Sequence, residues 1–295
     1  MERLPRLDTM SHPFPAAAAP GRPPHPSAAS SPSPPRDAEP ALSVRGLVRV
    51  FGRPGTPEAK IAVDRVDLDV PRGSFFGLVG RNGAGKTTML SRATGLLRPT
   101  AGSVRVAGVD VWAEPRRAKQ LMGVLPDGVH LFDRLTGRQL VTYSGLLRGM
   151  DRETVARRTD DLLQAMDLAG DAGTQVQDYS AGMTKKVALA GALIHAPSLL
   201  VLDEPFESVD PVSAANIRAI LHAFVAAGGT VVVSSHVMDL VQRMCDHVAV
   251  LDRGRVLAAG TVDEVRGGAS LEDRFVELVG GRAGTGEGLS WLRPE

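Results

Sequence analysis

Eight consecutive residues, Gly80-Arg81-Asn82-Gly83-Ala84-Gly85-Lys86-Thr87, constrain this chain more than any other feature. They follow the apolar run Phe75-Phe76-Gly77-Leu78-Val79 and precede a helical pattern, so they lie on a strand–turn–helix unit. The string matches a phosphate-binding loop in full. Its glycines let the backbone turn tightly, so that consecutive N–H groups converge on one phosphate, and the helix N-terminus adds a favourable dipole. Lys86 can bridge β- and γ-phosphates as a point charge. Thr87 and Thr88 follow it, and the Thr87 hydroxyl suits Mg²⁺.

Further along, Leu199-Leu200-Val201-Leu202 ends in Asp203-Glu204. Carboxylates at the C-terminal end of a strand point into the crevice where open α/β sheets bind ligands. Asp203 is placed to hold Mg²⁺ through water, and Glu204 to take a proton from an attacking water. A third apolar strand ends in Ser234-Ser235-His236, where the imidazole can donate to a γ-phosphate. His130, His195, His222 and His247 show no metal-ligand spacing and read as structural or surface residues. Tyr179-Ser180-Ala181-Gly182-Met183 precedes an apolar helical segment, and on local spacing Ser180 is an ordinary helix N-cap.

The patterning around these strings is that of an α/β protein. Val44 to Val50 and Ile61 to Val70 alternate as half-buried strands, with Ile61, Val63, Val66, Leu68 and Val70 facing inward. A helix is expected from near Lys86 to the breakers Pro99 and Gly102. Short strands are expected around Val104–Val106 and Met122–Leu125, and Arg138 to Asp178 reads as helices only, a helical insertion. The continuous apolar runs at Leu199 and Thr230 read as parallel strands covered on both faces. Helices at about 211–227 and 236–245 alternate with them, giving a doubly wound core. Two short strands at 246–259 and a helix from Leu271 to Val279 follow.

The first forty residues differ in kind. They hold 11 of the 21 prolines and are expected to form a disordered tail, with Met10 an alternative start. A formal net charge of +1 argues against a nucleic-acid partner. Cys245 is alone, which excludes an intramolecular disulfide and suits a small buried hydrophobe. No run reaches the ~20 apolar residues of a membrane span, and the start lacks the apolar core of a secretory signal. The chain is therefore expected to be soluble, and any membrane path must lie in another polypeptide.

In this order the four motifs resemble those of the ATP-binding subunit of ATP-binding-cassette (ABC) transporters, over about residues 42–265. The resemblance implies a P-loop NTPase (RecA-like) fold: a doubly wound, mostly parallel sheet with an N-terminal antiparallel β part and an inserted α-helical subdomain. The expected organisation is a tail at 1–40, the ATP-binding domain at 41–265 with the helical subdomain at about 112–185, and a short helix and frayed tail at 266–295. It implies a head-to-tail dimer around two ATP, with a second copy or another ATP-binding subunit. That dimer would power transport through a separate polytopic membrane subunit, at the cytoplasmic face of the membrane. Lysine occurs only at 60, 86, 119, 185 and 186 while arginine is abundant, which hints at a GC-rich bacterial genome.

Residue roles follow from the same resemblance. Phe51 would stack on adenine. Gly80, Asn82, Gly83, Ala84, Gly85, Lys86, Thr87 and Thr88 would bind ATP, with Mg²⁺ held by Thr87, Asp203 and Asp127. Glu204 and His236 would be catalytic. Ser208 and Asp210 match the D-loop. Ser180, Ala181, Gly182 and Met183 match the signature that reaches ATP in trans, which reverses the local reading of Ser180. The signature has Tyr, Ala and Met where Leu, Gly and Gln are usual. This Tyr-Ser-x-Gly-Met form is similar to that of exporter-type (ABC-2 type) members. Asp127 stands where the family usually has Gln, shorter and charged, which implies slower hydrolysis or altered Mg²⁺ dependence. Two other readings stay open: a non-transport ABC ATPase acting on a macromolecular partner, for example of the iron–sulfur assembly type, and a regulatory module with little turnover.

Overall fold

The computed structural model describes residues 39–52, 56, 59–128 and 130–281. The expected tail at 1–40 lies outside the described residues apart from its last two positions, and so does the expected frayed end beyond Gly281.

Two sheets organise the molecule. An antiparallel one contains β1 (Leu42–Phe51), β2 (Lys60–Val70), β4 (Ala101–Val106) and β5 (Val109–Asp110), in the order β2-β1-β4-β5. The other contains β3 (Phe75–Val79), β6 (Met122–Leu125), β7 (Leu199–Asp203), β8 (Thr230–Ser235), β9 (His247–Asp252) and β10 (Arg255–Thr261). Its order is β10-β9-β3-β8-β7-β6, and every pair except β9 with β10 is parallel. The helices are α1 (Lys86–Ala93), α2 (Pro115–Leu121), α3 (Gly137–Leu147), α4 (Arg152–Ala165), α5 (Ala181–Leu193), α6 (Pro211–Ala226), α7 (Met238–Met244), α8 (Val262–Arg266) and α9 (Leu271–Leu278).

Strands β3, β7 and β8 are buried at every position, as continuous apolar runs require. Their side chains alternate between two cores. Phe75, Val79, Leu200, Leu202, Val231 and Val233 join Val187, Ile217, Leu221 and Val241 on the side of α5, α6 and α7. Phe76, Leu78, Leu199, Val201 and Val232 join Val44, Val63, Met89 and Leu90 on the side of α1 and the antiparallel sheet. Both faces of the parallel sheet are thus covered, each fully buried Val or Leu contributing about 1.5–3 kcal/mol.

Three expectations need correction. Ile61 does not face inward: it is 54% exposed. Arg65 adopts a left-handed φ of 50°, and the β1–β2 register shifts between Leu47↔Val66 and Arg49↔Val63. That bulge sets the inward spacing from Val63 to Val66 at three, and a second register shift, between Arg49↔Val63 and Val50↔Ile61, turns Ile61 out. The first helix stops at Ala93, because Gly95 takes a φ of 72° and breaks it well before Pro99. The expected strand at Met122–Leu125 forms and pairs with β7 in the parallel sheet, so the helical subdomain starts after it and not at about 112. Only α3, α4 and α5 stand as a helical group there, each started by a cap: Thr136 with Gln139 in a capping box, Asp151, and Ser180.

The C-terminal ends of β3, β7 and β8 lie side by side, pairing Val79 with Ser235 and Asp203 with Ser234.

Candidate functional site

A cleft of about 650 Å³ opens over those strand ends. Arg81 to Thr88, Phe51, Asp127, Glu204 and His236 line it. Lys60, Ile61, Ala62, Glu207, Arg253 and Gly254 complete the wall. Glu207 opens the string that resembles the D-loop; the sequence reading missed the others as site residues, since they sit on β2 and at the β9–β10 turn and carry no motif of their own.

Close backbone contacts hold the glycine-rich loop. A Cβ on Gly80 would lie 2.3 Å from the Leu251 carbonyl oxygen. Gly85 has a φ of 109°, and a Cβ there would lie 2.4 Å from the Ala62 carbonyl oxygen. Gly254 N–H donates to the Ala84 carbonyl (2.8 Å), and Asp64 N–H donates to the Gly254 carbonyl (2.9 Å). The β9–β10 turn therefore clamps the loop from behind. Ala84 N–H donates to the Arg81 carbonyl (3.0 Å), and the loop lines the cleft as it leads into the N-terminus of α1, where an anion is favoured.

Three charged or polar side chains meet at the cleft floor. Lys86 is buried, and its Nζ donates to the Gly80 carbonyl (2.9 Å) and lies 3.3 Å from Glu204 Oε1. Glu204 Oε2 lies 3.1 Å from His236 Nδ1. Glu204 itself has a left-handed φ of 46°, a strain of order 1–3 kcal/mol. Two contacts hold it there: its N–H donates to Ser234 Oγ (3.0 Å), and its carbonyl accepts from Lys185 Nζ (3.2 Å). The Ser234 hydroxyl in turn donates to Asp203 Oδ1. One serine of β8 thus orients both acids of β7. A carboxylate fixed on a cleft wall between an ammonium and an imidazole can accept a proton from a water.

Asp203 is only 4% exposed and sits behind the cleft wall. Asp127 is exposed at the cleft, and its Oδ1 accepts from Gly128 N–H (2.8 Å). Among the described residues no group of three His, Cys, Asp or Glu could hold a metal by itself. The Thr87 hydroxyl and the Asp203 and Asp127 carboxylates are hard oxygen donors, a set that fits Mg²⁺ sharing its coordination with phosphate.

Ser180 to Met183, Ser208 and Asp210 do not line this cleft. Ser180 caps α5, accepting from Met183 N–H (3.2 Å). Asp210 caps α6, accepting from Ser213 (2.9 Å) and Val212 (3.0 Å) N–H, and those donors hold its carboxyl below the usual range. A Cβ on Gly182 would lie 2.7 Å from Ser213 Oγ and 2.8 Å from Asp210 Oδ2, so the two helix starts pack against each other. Tyr179 Oη donates to the Asp171 carbonyl (2.9 Å), and a Cβ on Gly137 would fall 2.0 Å from that oxygen. Tyrosine at this position is thus a packed anchor between α3 and the start of α5. Its burial pushes the phenol pKa up.

A second groove, of about 700 Å³, is bounded by Thr94, Leu96, Met122, Val124, Leu147 and the basic Arg116, Lys119 and Arg148. Leu96, Leu147 and the nearby Leu97 are more than half exposed. Among the described residues no helix is long and apolar enough to cross a membrane.

Comparison with known proteins places this geometry among relatives. The profile of the family described as "ABC transporter" matches residues 63–207. The chain is 36% identical over 229 residues to the daunorubicin resistance ATP-binding protein DrrA3 of Streptomyces coeruleorubidus, covering 78% of this chain and 71% of that one. It is 36% identical to the ABC transporter ATP-binding protein NatA of Bacillus subtilis, covering 72% and 87%. A solved ATP-binding subunit of an ABC transporter superimposes with a TM-score of 0.73 at 28% identity, covering 81% of this chain and 99% of that structure.

Proposed function

The chain belongs to the ABC transporter family as an ATP-binding, ATP-hydrolysing subunit working with a separate membrane subunit, and from that premise we propose which of its residues do the work. Gly80 to Thr88 bind the phosphates. Lys86 sits beside the β- and γ-phosphates, and Phe51 packs on the base. Glu204 takes the proton of the attacking water, and His236 donates to the γ-phosphate. The observation that carries this reading is the single carboxylate held between Lys86 (3.3 Å) and His236 (3.1 Å) at the floor of the cleft.

Mg²⁺, held by Thr87, Asp203 and Asp127, would neutralise phosphate charge when bound. Loop amides, Lys86 and His236 offer fixed dipoles and charge to the transferred group, with little covalent chemistry required of the chain. Ser180 lies off the cleft and is exposed at the start of α5, with Gly182 buried beside it against Asp210 and Ser213, and that exposed serine supports the signature's acting on the ATP of a second subunit in a head-to-tail dimer. Helices α3 to α5 and the segment from Asp127 to Leu140 face the membrane subunit, and the apolar groove with the basic rim supports this. The direction is export, on the Tyr-Ser-x-Gly-Met signature and the likeness to a daunorubicin-resistance subunit.

Glu204→Gln tests the assignment. The variant keeps ATP binding and loses about 10²- to 10⁴-fold in turnover, the usual worth of a positioned base. Purified from native membranes in detergent with ATP, it brings along a polytopic protein in about equal amount. Turnover at the parent rate would remove Glu204 as the base. Recovery with cytosolic assembly factors alone would favour the non-transport ATPase instead.

A further inference from the structure

Phe51 ends β1 and lines the cleft, and its surroundings are unusual. The Arg49 guanidinium carbon lies 4.6 Å from the ring centroid and the Arg92 guanidinium carbon 5.5 Å from it. Neither arginine lines the cleft, whereas Phe51 does. Arg92 is 3% exposed. Among the described residues neither arginine has a carboxylate partner, and the Nε atoms of both are buried without a hydrogen bond. Burial, and then the positive charge of Arg49, pull the pKa of Arg92 down.

A buried, unpaired guanidinium beside a second one is costly. What it gains here is the π face of Phe51, the Thr88 carbonyl (3.1 Å from Nη1) and the negative end of α1, in whose last turn it lies. Thr88 itself lines the cleft, so Arg92 ties the aromatic ring to the helix that carries Lys86 and Thr87. Two cations over one ring fix its rotamer and draw electron density from it. An electron-poor ring stacks better with an electron-rich purine.

We propose that Arg49 and Arg92 are positioning residues that back the Phe51 ring and strengthen its stacking on the nucleotide base. The proposal rests on the reading of Phe51 as the base-stacking residue. It predicts that Arg49→Ala and Arg92→Met each raise the KM for ATP by about 2- to 10-fold with kcat unchanged. Arg49→Lys keeps part of the effect.

The experiment measures ATPase kinetics of these variants in the parent and in a Phe51→Ala background, with competitive inhibition by tripolyphosphate, which carries no base. The expected result is a rise in KM that disappears when Phe51 is absent, with tripolyphosphate inhibition constant throughout. An unchanged KM in both arginine variants overturns the proposal, and so does an effect that persists without Phe51. A shift in tripolyphosphate inhibition overturns it too, because the arginines would then act on the phosphate site. If Phe51→Ala alone leaves KM unchanged, the stacking role of Phe51 falls first, a distinguishable outcome. Arg49, half-buried on an exposed strand end, keeps the test informative if Arg92→Met folds poorly.

Discussion

At Glu204, side chains from three separate segments converge on one residue: Lys86, His236 and, through the backbone, Lys185. The first two were readable because each ends a contiguous string at a strand terminus. Lys185 and the twofold role of Ser234 were not, since they depend on how α5 packs and on the β7–β8 register that sets Asp203 against Ser234. Asp127, expected from the resemblance to stand where Gln is usual, lines the cleft. In the proposed site its carboxylate would add negative charge near the bound phosphates. Asp127→Gln is therefore expected to raise kcat or shift the Mg²⁺ concentration needed for half-maximal rate, by about 3- to 10-fold. Measured rates across a Mg²⁺ titration decide it, and identical curves for variant and parent would remove any special role for this aspartate.

Among the elements, the parallel strands were the most legible, because burial on both faces leaves an unbroken apolar run. The Arg65 bulge and the two-residue β5 were not legible, since a single left-handed residue or a two-residue pairing leaves no periodicity. The end of α5 shows a cost that periodicity also hides. His195 follows this helix, with Nε2 at 2.9 Å from Arg148 Nη1 and 3.0 Å from the Met122 carbonyl. Burial, reinforced by Arg148, drives its pKa down to about 4. The unfolded chain, with a histidine pKa near 6.5, then binds more protons between those values, so stability rises with pH across that window and is lost as pH falls through it. Melting temperature is expected to drop from pH 7 to pH 5, and His195→Gln to flatten that limb. The carboxylates of Asp64, Asp151, Asp210 and Glu264 are held low by their hydrogen-bond donors, so the stability they contribute is lost mainly at more acidic pH than this limb. A variant with the parent's pH slope would assign the loss to other groups.

For the whole molecule, alternation of strand and helix was enough to foresee a doubly wound sheet, while the packing of an antiparallel sheet over one face came from resemblance alone. The proposed dimer belongs to this scale. Light scattering on Glu204→Gln is expected to give twice the monomer mass with ATP and the monomer mass without it, and Ser180→Ala to weaken the ATP-bound species. A monomer under every condition would break the in-trans role of the signature. One feature of the loop bears on how variants of such a chain are interpreted. Gly80 and Gly85 abut the carbonyls of Leu251 and Ala62, so a methyl group at either runs into main chain before any nucleotide arrives. In a saturation mutagenesis screen both positions would score as intolerant because the framework cannot close around the new atom. Their sensitivity would record the tightness of the β9–β10 and β2 backbones, and the binding contacts would have to be read from neighbours such as Asn82, whose side chain faces the cleft without that constraint.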